Sequence, residues 1–189
     1  MIALLVSFFI IVAAELGDKT QLIALCLASR FRKPVPIILG ILAATLASHF
    51  MAAFIGQWIG SLLHEKLLHG LLGLSFFAAA IWALIPDKVD CDTDQPLTHK
   101  SIFITTFITF FIAEIGDKTQ LATVALAAHF QSFVWVVVGT TLGMMAANIP
   151  AVLLSHAITT RIPLKLVRVL SGIAFAVLGI YECSKIWHF

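Results

Sequence analysis

Glu15-Leu16-Gly17-Asp18-Lys19-Thr20-Gln21 interrupts one apolar run of this chain, and Glu114-Ile115-Gly116-Asp117-Lys118-Thr119-Gln120 interrupts another in the same way. Each copy sets two carboxylates and a lysine among aliphatic and aromatic side chains, where an ionised group costs about 2.5 to 3.5 kcal/mol even on the lenient insertion scale. Groups held at that cost are functional by default. The two copies are therefore expected to face each other and to make one cation site halfway through a membrane.

Apolar runs on either side of the two motifs cover about 2 to 29, 34 to 59, 67 to 85, 101 to 128, 133 to 159 and 164 to 186. A spanning helix needs roughly 20 apolar residues, so the pattern predicts an all-α integral membrane protein of six transmembrane helices. With 189 residues, 60% of them apolar, and a mean hydropathy of +1.03, no soluble domain is expected beside them. Met1 to Ala14 ends in Val12-Ala13-Ala14, small residues that suit a leader cleavage site. There is no basic segment before it, and similar text recurs ahead of Glu114, so it is expected to remain as the first span.

The runs are punctuated by Arg30-Phe31-Arg32-Lys33-Pro34, by His64-Glu65-Lys66 and by Pro86 to Lys100. The last break carries Asp90, Asp92 and Asp94, an opening like that of an EF-hand loop. Gln95 and Ser101 stand where such a loop needs Gly and Glu, so a solvated acidic linker is expected over 86–100. Cys26, Cys91 and Cys183 show neither CxxC nor metal-type spacing, and their odd number predicts no disulfide framework and no thiolate site. The net charge of +2 comes with basic residues in short tracts between apolar runs, which gives nucleic-acid binding no support.

A shift of 99 residues lays Glu15 on Glu114 and carries Phe8 onto Phe107, Leu27 onto Leu126, Gly40 onto Gly139, Gly73 onto Gly172 and Phe76 onto Phe175. The chain reads as a duplicated three-helix unit, residues 1–85 and 101–189 joined by the linker. An odd number of spans per unit makes the second enter from the opposite side. Inverted repeats with the site at their interface are the usual build of secondary transporters, so the motif helices, the first and fourth, are expected to cross at the midplane. Arg30, Arg32, Lys33, Lys88, Lys100, Arg161, Lys165 and Arg168 gather on one side, against Lys66 and Lys185 on the other. The positive-inside rule makes the first side cytoplasmic and puts both termini outside. Trp58, Trp82, Trp135 and Trp187 fall near helix ends, as interfacial anchors do. Gly56 and Gly60, and Gly139 and Gly143, are spaced for close helix packing.

Two local conformations suit the motif. A continuous helix would put Glu15, Asp18, Lys19 and Gln21 on one polar stripe. Alternatively, Gly17 and Gly116 would unwind the helix and free carbonyls as ligands. In either case Glu15, Asp18, Glu114 and Asp117 are hard oxygen donors suited to calcium, magnesium or manganese. With Lys19 and Lys118 they leave two negative charges in excess, which a divalent ion balances. Once the ion leaves, crowded and poorly hydrated carboxylates take up protons in its place, a physical route to metal/proton exchange. A purely structural reading, Glu15 paired with Lys19 and Glu114 with Lys118, leaves both aspartates unexplained.

Further candidates are Gln21 and Gln120 within the motifs, His49 and Asn148 at the same 99-residue offset, Ser48, and the Ala146 carbonyl freed by Pro150. Each reads as an additional ligand or relay, or as interhelical glue. Thr20 and Thr119 satisfy backbone carbonyls as readily as a substrate. Met144 and Met145 would favour manganese over calcium if a thioether reached the ion, and otherwise fill space. Glu182 is expected to reach the interface beside Lys185.

These residues, E-L-G-D-K-T and E-I-G-D-K-T on the first and fourth spans, resemble the paired signature of the calcium/manganese cation-proton antiporter family, once grouped as an uncharacterised protein family. The resemblance covers essentially the whole chain. It implies export of divalent manganese, with calcium in some relatives, and a metal site of Glu15, Asp18, Glu114 and Asp117, the motif completed by Gly17, Lys19, Thr20, Gly116, Lys118 and Thr119. The expected partners are the ion, protons and the lipid bilayer, with a homodimer left open and no cofactor beyond the transported ion. A calcium/proton antiporter is the first alternative. An organic-cation exporter would want aromatic walls, and an intramembrane aspartyl protease would want glycine in place of Glu15 and Glu114.

Overall fold

The computed structural model describes residues 1–85, 99–154 and 164–186. Over these the chain is all-helical: α1 (Ile2–Glu15), α2 (Lys19–Phe31), α3 (Pro34–Leu62), α4 (Glu65–Leu84), α5 (His99–Glu114), α6 (Lys118–Phe130), α7 (Phe133–Leu153) and α8 (Leu164–Lys185). Eight helices thus stand where six runs were read, because the first and fourth runs are each broken at the motif. At 14 residues, α1 is about 21 Å long, short of the ~30 Å hydrocarbon layer.

Helices α3, α4 and α7 are long and apolar enough to cross a membrane. The expected acidic linker and Trp187 fall largely outside the described residues, as do Lys88, Cys91 and Arg161. Trp58, Trp82 and Trp135 are exposed near helix ends. Pro34 opens α3 in the first helical position, where its missing N–H is no loss. The second break is shorter than read, since Glu65 and Lys66 already belong to α4. Contrary to expectation, Cys26 is disulfide-bonded, while Cys183 is a free thiol; an odd cysteine count excludes a complete framework but not one bridge.

The motif breaks have a backbone cause. Gly17 and Gly116 take φ of 77° and 74°, left-handed values that only glycine adopts without cost. Asp18 and Asp117 then restart the helix in its N-cap position. The glycine amides, which the helix no longer satisfies, donate to Gln21 Oε1 at 2.8 Å and to Gln120 Oε1 at 2.7 Å. The unwound alternative holds, and Glu15 and Lys19 no longer share a helix.

Packing follows the small residues. α1 lies on α7, α5 on α3, and α4 on α8. A side chain at Gly139 would meet the Leu4 carbonyl at 2.5 Å and Ser7 Cβ at 3.0 Å, while one at Gly40 would meet Thr106 Cβ at 2.7 Å and the Phe103 carbonyl at 3.0 Å. The second contact is the first moved by the sequence offset. Gly73 against Cys183 and the Gly179 carbonyl likewise matches Gly172 against Leu84 and the Ala80 carbonyl. Phe76 and Phe175, a further matched pair, stack with centroids 6.4 Å apart.

Gly143 stands 2.7 Å, at an added Cβ, from the Phe8 carbonyl and 3.1 Å from Ile11 Cβ, whereas Gly70 has nothing nearer than 3.8 Å. Gly143→Ala is expected to force α1 and α7 apart and lower stability by about 1–3 kcal/mol. Gly70→Ala should be neutral or slightly stabilising, in thermal unfolding of the two variants in detergent.

Candidate functional site

The two broken helices meet at their breaks. Lys118, at the start of α6, donates to Asp18 Oδ1 at the start of α2, and Lys19 Nζ lies 3.0 Å from Asp117 Oδ1. Each lysine therefore crosses to the other motif's aspartate and does not fold back on its own glutamate, so the pairing of Glu15 with Lys19 and Glu114 with Lys118 is not formed. The two ties differ in burial: Lys118 is 4% exposed and Lys19 26%.

Behind the crossed pairs lie Glu15 and Glu114, both fully buried. Glu15 Oε1 accepts from Thr20 Oγ1 and from Asn148 Nδ2 at 2.9 Å. Glu114 Oε2 accepts from Thr119 Oγ1 at 3.4 Å, and His49 Nε2 lies 3.4 Å away without hydrogen-bond geometry. Glu15 is within electrostatic reach of Asp18 and Glu114, and Glu114 of Asp117 and Asp18. All four carboxylates of the expected metal set are thus brought into one cluster.

Among the described residues, Glu15 Oε2, Glu114 Oε1 and Asn148 Oδ1 are buried without a hydrogen-bond partner. Unsatisfied buried carboxylate oxygens are costly. They are also the donors that a hard cation accepts, and no rearrangement of a neighbour is needed to free them.

The secondary candidates separate. Gln21 and Gln120 brace the glycine amides, and Gln21 Nε2 also donates to the Ala147 carbonyl at 3.2 Å. The carbonyl that engages the motif is therefore one residue beyond Ala146, which is exposed. Ser48 is buried and donates to the Thr45 carbonyl at 3.2 Å, a bond within its own helix. Thr20 and Thr119 are fully buried and bind both acidic groups of their own motif, Thr119 reaching Asp117 Oδ2 at 3.1 Å. Met144 touches the site through Asn148, whose Nδ2 stands 3.4 Å from its sulfur. Met145 instead joins the apolar cluster of Ile37, Ile41 and Phe110.

A cavity of about 260 Å³ borders the second motif, lined by Gly116, Asp117 and Gln120 together with Ala52, Trp82 and Val124. Glu182 departs from expectation. It is 2% exposed and sits between His69 and His129, away from the motifs. Sequence reasoning passed over both histidines because residues 69, 129 and 182 share no spacing pattern and have no counterpart at the repeat offset.

The family model described as "Divalent cation/proton antiporter GDT1" matches residues 3–90 and 102–187, segments whose starts reproduce the offset between the motifs. A protein of Vibrio cholerae named "Putative manganese exporter" is 44% identical over 95% of this chain and 90% of its own length. "GDT1-like protein 3" of Arabidopsis thaliana is 26% identical over 92% of this chain and 67% of its own length, and "GDT1-like protein 5" of the same plant is 26% identical over 88% and 89%. No solved structure matches the chain.

Double-mutant cycles should resolve the crossed pairs. Lys118→Met with Asp18→Asn is expected to give a coupling of about 2 kcal/mol in thermal or denaturant unfolding, and Lys19→Met with Asp117→Asn less than half of that, because the more exposed pair is screened by water. Equal couplings would mean that burial does not set the strength of these ties.

Proposed function

The chain belongs to the GDT1 family of divalent cation/proton antiporters, and on that premise we propose that it exports manganese from the cytoplasm in exchange for protons, at a site built by Glu15, Asp18, Glu114 and Asp117. The observation that carries the reading is the pair of fully buried glutamates, one from each motif, each with an oxygen that nothing in the described protein satisfies. Hard oxygen donors in excess of the available positive charge call for a divalent cation. When the cation departs, protons are the small charges that a closed site admits in its place.

Alternating access follows from a two-fold arrangement of the halves. The crossed pairs Lys118–Asp18 and Lys19–Asp117 exchange with each other under the repeat offset, as do Asn148 on Glu15 and His49 on Glu114. In this reading, residues 1–85 and 101–189 are inverted three-helix repeats in six spans, with α1–α2 and α5–α6 as broken spans crossing at the midplane. The basic side is cytoplasmic, the termini lie outside, and the membrane is the bacterial inner membrane. Lys19 and Lys118 hold the aspartates while the site carries protons and release them to the ion. The cavity beside Asp117 makes the second motif the approach in this conformation.

The choice of manganese rests on the exporter named among the relatives and on Met144, whose thioether lies beside Asn148 and favours the softer of the two ions. Calcium fits the same oxygen donors and is the second reading. The exchange of contacts between halves gives an aspartyl-protease dyad no support, and the family is one of transporters.

Transport in inside-out vesicles tests the proposal. Manganese uptake should follow an imposed pH gradient and collapse with it. Glu15→Gln and Glu114→Gln should each reduce it at least a hundredfold at unchanged expression, and Met144→Leu should shift competition toward calcium. Uptake indifferent to the pH gradient would refute the exchange.

A further inference from the structure

One cluster of ligating side chains lies outside the motif site and is used by nothing above. His69 comes from the early part of α4, His129 from the last turn of α6 and Glu182 from the last turn of α8. Glu182 Oε2 stands 2.7 Å from His69 Nδ1 and Glu182 Oε1 stands 2.8 Å from His129 Nδ1. The three candidate ligand atoms all lie within 4.8 Å of one another. His129 Nδ1 makes no hydrogen bond of good geometry despite that proximity.

We propose that His69, His129 and Glu182 form a second metal site, at the end of the helix bundle, for a first-row transition dication such as manganese, cobalt or zinc. Ligand atoms around one such ion stand roughly 3 to 3.5 Å apart at metal–ligand distances near 2.1 Å, so this cluster needs only small side-chain movements to close on an ion. Two imidazoles and a carboxylate select transition metals over calcium and magnesium, which avoid nitrogen. Each imidazole ligates through the Nδ1 lone pair and keeps its proton on Nε2. A cavity of about 240 Å³ adjoins His129 and Glu182, between Val6, Phe76, Leu126 and Tyr181. It supplies room for the water ligands that three protein donors leave unfilled.

The site is separate from the motif. Lys118 and His129 are at opposite ends of α6, roughly 16 Å apart along the helix. Its existence does not depend on the proposed transport reaction.

The test uses the full-length chain carrying Glu15→Gln and Glu114→Gln, purified in detergent and titrated with Co²⁺ and Mn²⁺ at neutral pH. One equivalent should bind, with Co²⁺ giving visible d–d absorption and pulsed EPR of the Mn²⁺ form showing two coupled imidazole nitrogens; His49 supplies at most one. His69→Gln and His129→Gln should each weaken binding at least tenfold and remove one nitrogen coupling, and a large excess of Ca²⁺ should not displace the ion. Where a histidine variant fails to fold, the parent chain alone decides. Absence of a bound equivalent, or an ion with fewer than two coupled nitrogens, would overturn the proposal and leave a hydrogen-bonded structural cluster.

Discussion

Two glutamates with no exposure to solvent, Glu15 and Glu114, constrain everything around them. A carboxylate removed from water is tolerated only where hydrogen-bond donors and positive charge replace the lost solvation. Here that replacement is shared between the motifs: each glutamate takes a threonine from its own motif and leans on a side chain of a long helix, Asn148 of α7 or His49 of α3. The aspartates, in turn, are held by lysines from across the interface. Neither motif is electrostatically complete without the other.

That dependence explains the broken helices. An intact helix would have pointed the amides at Gly17 and Gly116 into its own ladder and kept each motif's charges on one stripe. The left-handed glycines turn the chain, let Asp18 and Asp117 begin new helices, and leave two amides that Gln21 and Gln120 satisfy. Discontinuous helices that meet at their breaks are the membrane-protein way of exposing polar groups to a small ion while the surrounding backbone stays paired. The close approach of α1 to α7 and of α5 to α3, made through Gly139, Gly143 and Gly40, brings Asn148 and His49 within reach of the glutamates.

The two halves are alike without being equal. Asn148 hydrogen-bonds Glu15 while His49 only approaches Glu114, and Lys118 is buried where Lys19 is partly exposed. A cavity borders the second motif, whereas Gly17 of the first is buried. Under the alternating access proposed above, such inequality is expected of any one conformation, since equivalent contacts would not be made on both sides at once.

Much of this was legible in the residues alone. The twin acidic motifs, their offset and the apolar runs between them settle the helical class and single out the four carboxylates, because charge in an apolar run has few explanations. The sequence also offered both a straight and an unwound motif, and glycine permits either; only the packed structure, in which the freed amides find glutamines four residues on, chose between them. Which lysine meets which aspartate was likewise open, since crossing depends on the relative placement of α2 and α6 and not on spacing within either motif. Glu182 was read as an interfacial residue from its place near Lys185, yet it lies buried between His69 and His129. Three residues so far apart in the chain become neighbours only when α4, α6 and α8 pack together, and no local pattern records a contact that tertiary packing alone creates.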